Sequence, residues 1–416
     1  MKKSVKFGVI GLGNRGMSLL KSNIINLEDA DITAVCDAYD DRTAAAADFV
    51  ESKRGKRPYA TTDYNDLIKN GGCEAVFISA SWEEHVNMSI KAMEAGVAVA
   101  LEVGGAYCIE DCYRLVEAYE KTKTPFMFME NCCYDKAELL ATAMHRAGIF
   151  GEVVHCSGAY AHDLRVEVTT GKEKRHYRLR NYIERNCDNY PTHDLGPIAK
   201  LLNINRGNRM ISLVSVASKS AGLEAYINKK AADGTLVNRD LIGQKFNQGD
   251  IVDTIITCEN GETIRLKLDT TLPRSYDREF TVRGTNGSFF QSSYSVFIDG
   301  DPEDWKYDKY LATVLGNAKK YEQKYLPDIW KNITEEQLKS GHGGMDYFEF
   351  RAFLDALENG DEMPIDVYDA AAWMAVTCLS EESIKMGGTK VDFPDFTNGK
   401  WKTRPAKDVI DLTVND

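Results

Sequence analysis

No stretch of this 416-residue chain approaches the roughly 18 apolar residues that a membrane-spanning helix requires, so the sequence predicts no membrane partner. The chain also lacks a Cys-x-x-Cys pair. Its ten cysteines are scattered, which argues against zinc and, in a reducing compartment, against a disulfide framework. They read as small buried hydrophobes. Low-complexity tracts and internal repeats are missing, which points to ordinary globular domains. Positive charge is short: 51 Lys and Arg face 63 Asp and Glu, for a net charge of −12, which disfavours nucleic acid and anionic membrane surfaces. The basic stretch at residues 172–180 is a local patch with acidic neighbours. Nor is there the continuous apolar core of a secretion signal. Met1-Lys2-Lys3 runs straight into residues 5–12, which Lys6 and two glycines interrupt. The expectation is a cytoplasmic protein.

What is present suits two globular domains: 43% hydrophobic and 27% charged residues over a length too great for one ordinary domain. Residues 5–10 form a short apolar run, followed by Gly11-Leu12-Gly13-Asn14-Arg15-Gly16 and then the helical pattern of Met17, Leu19 and Leu20. This is Gly-x-Gly-x-x-Gly between a strand and a helix, the context in which it binds a dinucleotide. Gly11 permits the tight turn, Gly13 lets backbone approach a pyrophosphate, and Gly16 lets helix and strand sit close. A second apolar run, residues 32–36, ends at Asp37, where a carboxylate would hold both ribose hydroxyls and repel a 2′-phosphate. NAD is therefore favoured over NADP, with Arg42 nearby as the complication. Strand and helix patterns keep alternating to residue 129, which predicts a doubly wound parallel sheet. Residues 79–85, Glu102, Glu130 and Asn131 occupy the carboxyl ends of its strands.

After about residue 134 the pattern changes. Ile264, Leu266 and Leu268 interleave with Arg265, Lys267 and Asp269, the alternation of a half-covered strand. Asn260-Gly261 and Asn286-Gly287 are hairpin signals. The expected fold class is α/β: a Rossmann domain over residues 1–134, then an α+β substrate and oligomerisation domain over 135–416 with a large, mainly antiparallel sheet. Helices are expected at 345–357 and 367–386, the latter capped by Asp366, and an irregular arm from residue 391.

Together these motifs resemble the Gfo/Idh/MocA oxidoreductases. That family's common Glu-Lys-Pro segment reads Glu102-Val103-Gly104 here, so valine stands at the lysine position. The Asp four residues before its histidine is Asn189 in Asn189-Tyr190-Pro191-Thr192-His193. A narrower branch is closer: the NAD-dependent glycoside hydrolases typified by α-N-acetylgalactosaminidase. The resemblance runs through Asn14-Arg15 in the glycine loop, Ser81-Trp82-Glu83-Glu84-His85, Glu102-Val103, Glu130-Asn131-Cys132-Cys133-Tyr134 and His162-Asp163-Leu164-Arg165. It continues in Tyr190-Pro191-Thr192-His193, Pro273-Arg274-Ser275-Tyr276 and Gly341-His342-Gly343-Gly344-Met345-Asp346. The sequence departs from the branch at Gly104-Gly105-Ala106, usually Pro-Ala-Ala, and at Asp194, usually glycine.

The resemblance implies hydrolysis by a redox route: hydride removal from C3 of a sugar, loss of the C2 proton, departure of the leaving group, water addition, and return of the hydride. His193 or Tyr190 would accept the C3 hydroxyl proton, and Tyr276 or His193 the C2 proton; their order is open. Glu130, Arg178, His162 and Arg165 are assigned to the sugar. Gly11, Gly13, Asn14, Arg15, Gly16, Asp37, Trp82, His85, Glu102 and Asn131 are assigned to NAD. No metal is called for. Relatives imply a homo-oligomer. Plainer readings stand beside these: Tyr276 capping a hairpin, Tyr190 packing before Pro191, Trp82 in the core, His342 in a simple turn, and His145, His155 and His176 as structural residues. An NAD(P)-dependent sugar or cyclitol oxidoreductase is the alternative function, and a non-catalytic NAD-binding regulator a third.

Overall fold

The computed structural model describes residues 4–301 and 314–412. The chain divides into two compact units. The first comprises Met1–Tyr134 and Ile333–Ala372, the second Asp135–Asn332 and Trp373–Asp416.

The first unit is built on six strands: β1 (Val5–Ile10), β2 (Ala30–Cys36), β3 (Tyr59–Thr61), β4 (Ala75–Ile78), β5 (Ala98–Glu102) and β6 (Phe126–Met129). They pair in the order β3-β2-β1-β4-β5-β6, all parallel. The sequences Ala-Val-Phe-Ile, Ala-Val-Ala-Leu-Glu and Phe-Met-Phe-Met of β4–β6 are buried throughout, as strands covered on both faces must be. The chain reverses direction across the sheet between β1 and β4, which opens a crevice at the carboxyl ends of the strands.

Two helices flank that crevice on the sequence side: α1 (Asn14–Ser22), which follows β1, and α2 (Asp40–Arg54), which follows β2. A helix from far along the chain, Met345–Asn359, covers one face of the same sheet. Phe353 lies edge-on to Phe7 of β1 at 6.2 Å, and Phe350 edge-on to Phe77 of β4 at 5.1 Å. Arg351 pairs with Asp29 at 2.6 Å, and the Phe128 amide donates to the Ile365 carbonyl at 2.9 Å. A division at residue 134 alone therefore misses Ile333–Ala372. Periodicity shows that this helix has an apolar face but not which sheet that face covers.

The second unit holds eight strands: β7 (Val153–Ala161), β8 (Met210–Ala217), β9 (Ile251–Cys258), β10 (Thr263–Asp269), β11 (Thr281–Gly284), β12 (Gly287–Phe290), β13 (Ser295–Ile298) and β14 (Val391–Asp392). Their order is β13-β12-β11-β7-β10-β9-β8-β14. Only β7 and β10 run parallel; the remaining neighbours are antiparallel. Asn260-Gly261 turns β9 into β10, with Gly261 at φ +99°, and the alternation in β10 buries Ile264, Leu266 and Leu268. Val391 opposes Leu213, so the expected irregular arm instead starts as the edge strand of this sheet. The helix Val367–Lys385 is capped as the sequence suggests: the Asp366 carboxylate accepts the Tyr368 and Asp369 amides at 2.9 and 3.1 Å.

Gly16 sets the entry of α1. A Cβ there would stand 1.9 Å from the Gly11 carbonyl oxygen and 2.4 Å from the Ser79 hydroxyl. The backbone carbonyl cannot yield as a flexible side chain would. Gly16→Ala is expected to cost about 1–3 kcal/mol in denaturant unfolding; an unchanged midpoint would contradict this packing.

Candidate active site

The glycine loop has the features a dinucleotide needs. Gly11 sits at φ +89°, a left-handed conformation, with Ser79 backbone where its Cβ would be. The Gly11 amide donates to the Cys36 carbonyl, and the Ser79 hydroxyl donates to the Gly11 carbonyl at 2.8 Å. Helix α1 starts at Gly13 with no side-chain cap, which leaves the first-turn amides without a side-chain acceptor and the positive end of the helix dipole facing outward. Asn14 is exposed on this turn. Asp37, buried at the end of β2, accepts the Leu12 amide at 2.7 Å and the Tyr39 amide at 3.1 Å, so it anchors the loop. Arg42 stands 3.7 Å from the same carboxylate and over the Tyr39 ring. These residues fit NAD.

At the ends of β5 and β6 lies an ion-pair network. Arg15, on the first turn of α1, donates to Glu102 at 2.8 Å and to both oxygens of Asp346 at 2.8 and 3.0 Å. Asp346 is fully buried and also accepts from the Asn131 amide at 2.7 Å, with His342 Nδ1 at 2.9 Å. Burial alone would raise the Asp346 carboxyl; the charge and hydrogen bonds of Arg15, together with His342, overcome that and hold it well below the usual carboxylate range. Gly341 makes room, since a Cβ there would lie 2.2 Å from an Asp346 oxygen. The Gly-His-Gly-Gly segment is thus a tight wrap around one carboxylate. Glu130 is fully buried and accepts the Cys132 amide at 3.0 Å.

Trp82 and His85 are placed differently from ligand-facing groups. Trp82 is buried against Gly104, where a Cβ would come within 2.3 Å of the indole. Here Gly104 accommodates a bulky ring, which gives the departure from Pro-Ala-Ala a physical reason. His85 is buried with Nε2 3.1 Å from the Ala80 carbonyl, and burial pushes its pKa down to about 4, so it is a neutral ring bracing the loop before the helix Trp82–Glu94.

The second unit gathers a chain of rings. The Tyr160 ring, at the end of β7, lies 4.6 Å from Tyr190 and 5.4 Å from His193; Tyr190 and His193 are 4.8 Å apart. The Tyr160 hydroxyl lies 3.2 Å from His162 Nδ1, and His162 stands edge-on to Tyr276 at 5.2 Å. Burial lowers the His162 pKa, which favours the neutral ring. The buried Arg178 guanidinium covers the Tyr190 ring at 4.8 Å and pairs with Glu167 at 2.6 Å. Tyr276 is half-exposed, with Arg278 3.4 Å from its hydroxyl. His193 is carried on the first turn of the helix Thr192–Leu201.

Residues 134–403 match the family model described as glycosyl hydrolase 109, C-terminal domain, and residues 5–129 match the oxidoreductase family, NAD-binding Rossmann fold. A glycosyl hydrolase family 109 protein of Stenotrophomonas maltophilia strain K279a is 37% identical, over 97% of this chain and 91% of that protein. The chain belongs to glycosyl hydrolase family 109. The α-N-acetylgalactosaminidase of Tannerella forsythia is 35% identical over 95% of this family 109 chain and 87% of its own length. Among solved structures, a levoglucosan dehydrogenase in complex with NADH and levoglucosan shares the fold, with a TM-score of 0.70 at 19% identity over 94% of this chain and all of that one. The family 109 chain is an enzyme, and NAD is its cofactor.

The structure brings together His193, Tyr190, His162, Tyr276 and Arg178 in the second unit, and Arg15, Glu102 and Asn131 in the first. Arg165 stands apart from this arrangement: its guanidinium pairs with Asp163 at 2.6 Å and lies over the Tyr226 ring. Sequence reasoning missed Tyr160, Glu167, Asp346 and Glu349. Asn189, at the position of the oxidoreductase aspartate, is a buried structural amide that donates to Gln248 at 3.1 Å. Asp194 is buried on the first helical turn and packs on β7. A Cβ at Gly158 would come within 2.7 Å of the Asp194 Cβ, so a bare glycine on β7 accommodates the larger residue.

Asp188, buried beneath the Tyr190 loop, accepts the Tyr190 amide; burial pushes its pKa up to about 7. The folded chain therefore keeps a proton that the unfolded chain, with an ordinary carboxyl near about 4, has lost. Stability from this group is present at low pH and falls as pH rises toward about 7. Asp188→Asn keeps an acceptor without the charge. Its melting temperature relative to wild type is expected to be higher at pH 8 than at pH 5; a difference independent of pH would contradict the assignment.

Proposed function

We propose that this enzyme hydrolyses α-linked N-acetylgalactosaminides or closely related glycosides without net oxidation. The observation that carries the reading is the ring cluster of the second unit: two imidazoles and three phenols, each in ring contact with the next, beside a buried guanidinium. Bound NAD supplies a reversible hydride acceptor. The chain's own residues handle protons and orientation. His193 takes the proton of the hydroxyl being oxidised and later returns it as a general base and acid. Tyr190 and Tyr160 pack on that imidazole through steeply inclined ring contacts. Tyr276, half-exposed and with Arg278 3.4 Å from its hydroxyl, is assigned the proton next to the new carbonyl. Arg178 fixes Tyr190 and offers charged hydrogen bonds to sugar oxygens, together with His162. Glu130 is assigned to the sugar as well.

We also assign the enzyme to the cytoplasm as a homo-oligomer. All ten cysteines are thiols, which supports a reducing compartment, and no helix among the described residues is long and apolar enough to cross a membrane. Val216 and Ile255, exposed on one face of the large sheet, support self-association there.

The test is a nitrophenyl α-N-acetylgalactosaminide assay that follows nitrophenol and NADH together. Nitrophenol release without NADH accumulation is expected. Steady NADH production would instead assign a sugar oxidoreductase. His193→Ala is expected to lower kcat by at least about 100-fold with NAD affinity unchanged; equal loss of both would overturn its role as the base.

A further inference from the structure

At the carboxyl ends of β5 and β6 the first unit sets four carboxyl groups, Glu102, Glu130, Asp346 and Glu349, within electrostatic reach of one another and of Arg15. Three of them have partners. Glu102 takes Arg15 and its own neighbour's amide, Asp346 takes Arg15 and Asn131, and Glu130 takes the Cys132 amide. Glu349, one turn beyond Asp346 on the helix Met345–Asn359, is fully buried, and neither carboxyl oxygen has a hydrogen-bond partner among the described residues. An orphaned buried polar group is unfavourable and calls for a physical explanation.

Burial, then the negative charges of Glu102, Asp346 and Glu130, favour the neutral acid; Arg15 opposes them and does not prevail. The buried phenol of Tyr134 faces the same group. In the protein without cofactor, Glu349 is therefore a carboxylic acid whose O–H has no acceptor among the described residues. The rest of the loop says what could change this. With the pyrophosphate at α1 and the adenine ribose at Asp37, a dinucleotide lying across the strand ends directs its nicotinamide half to the β4–β6 side of the crevice. Oxidised nicotinamide is a cation and reduced nicotinamide is neutral. A cation brought toward a buried acid stabilises its anion.

We propose that Glu349 is a proton-exchanging counter-group to the oxidised cofactor: an acid in the protein without cofactor and with NADH, a carboxylate with NAD⁺. The Glu349 O–H bond breaks, the proton passes to the solvent, and no electron moves. The device makes the site prefer NAD⁺ over NADH and makes NAD⁺ affinity rise with pH. It rests on NAD binding in the first unit and is independent of hydrolysis.

The experiment adds NAD⁺ or NADH to the purified full chain at pH 7 in weak buffer with a pH indicator, alongside calorimetric titration. Wild type is expected to release up to about one proton per NAD⁺ and none per NADH. Glu349→Gln is expected to abolish the release and to weaken NAD⁺ about tenfold while NADH affinity stays within about twofold. Infrared difference spectra of wild type should lose a protonated-carboxyl band when NAD⁺ binds, a readout that does not depend on the variant folding. Equal release by wild type and Glu349→Gln, no release by wild type, or equal release with NADH would overturn the proposal. Absence of NAD⁺ binding in calorimetry would overturn the dinucleotide site as well. Proton release without glycoside cleavage would leave Glu349 in place and remove the proposed hydrolysis.

Discussion

The pair between Arg15 and Asp346 is the interaction on which the rest of the first unit depends. Arg15 belongs to the glycine loop, Asp346 to a helix that returns more than three hundred residues later, and the two meet through a bidentate contact. The same guanidinium holds Glu102 at the end of β5, and the same carboxylate holds Asn131 just beyond β6. One charge pair, a half-buried guanidinium on a buried carboxylate, therefore ties the N-terminus of α1 to the strand ends. A buried carboxylate is tolerable only while its cation is present, because breaking such a pair leaves an uncompensated charge. This also explains the conformational demands of the wrap: Gly341, Gly343 and Gly344 all have positive φ, and a side chain at 341 would collide with Asp346.

The second unit follows a different logic. The groups proposed to react there are rings packed on rings, with Arg178, Glu167 and Arg278 as the charges around them. Fixed charge organises the strand ends of the first unit, and packed rings organise the proposed sugar site of the second. Family 109 membership places both on one chain.

Much of this was legible in the sequence because it is local. The glycine spacing, the apolar runs of β4–β6 and the turn at Asn260-Gly261 each encode their structure within a few residues. The place of Asp37 at the end of β2 was legible from spacing, whereas its anchoring of the Leu12 amide needed coordinates. The misses are all long-range. The helix Met345–Asn359 reads as amphipathic, but nothing local says that it covers the Rossmann sheet. A signal was present: Asp346 and Glu349 fall at helical spacing with Phe350 and Phe353, so two carboxyl groups share the apolar face. Charges on a buried face mark a partner or a function. Tyr160 was hidden in the alternation of a half-covered strand, and only its spacing of two from His162 hinted that both belong to one cluster. Trp82 and His85 show the converse: motif residues whose surroundings make them bracing elements.

Arg15 and Asp346 act as one unit in shaping the NAD site, and a double-mutant cycle on NAD⁺ affinity with Arg15→Met, Asp346→Asn and the pair combined tests this. Each single change is expected to weaken binding about tenfold or more, and the double variant to lose no more than the worse single. Losses that simply add, or single variants that bind like wild type, would contradict it.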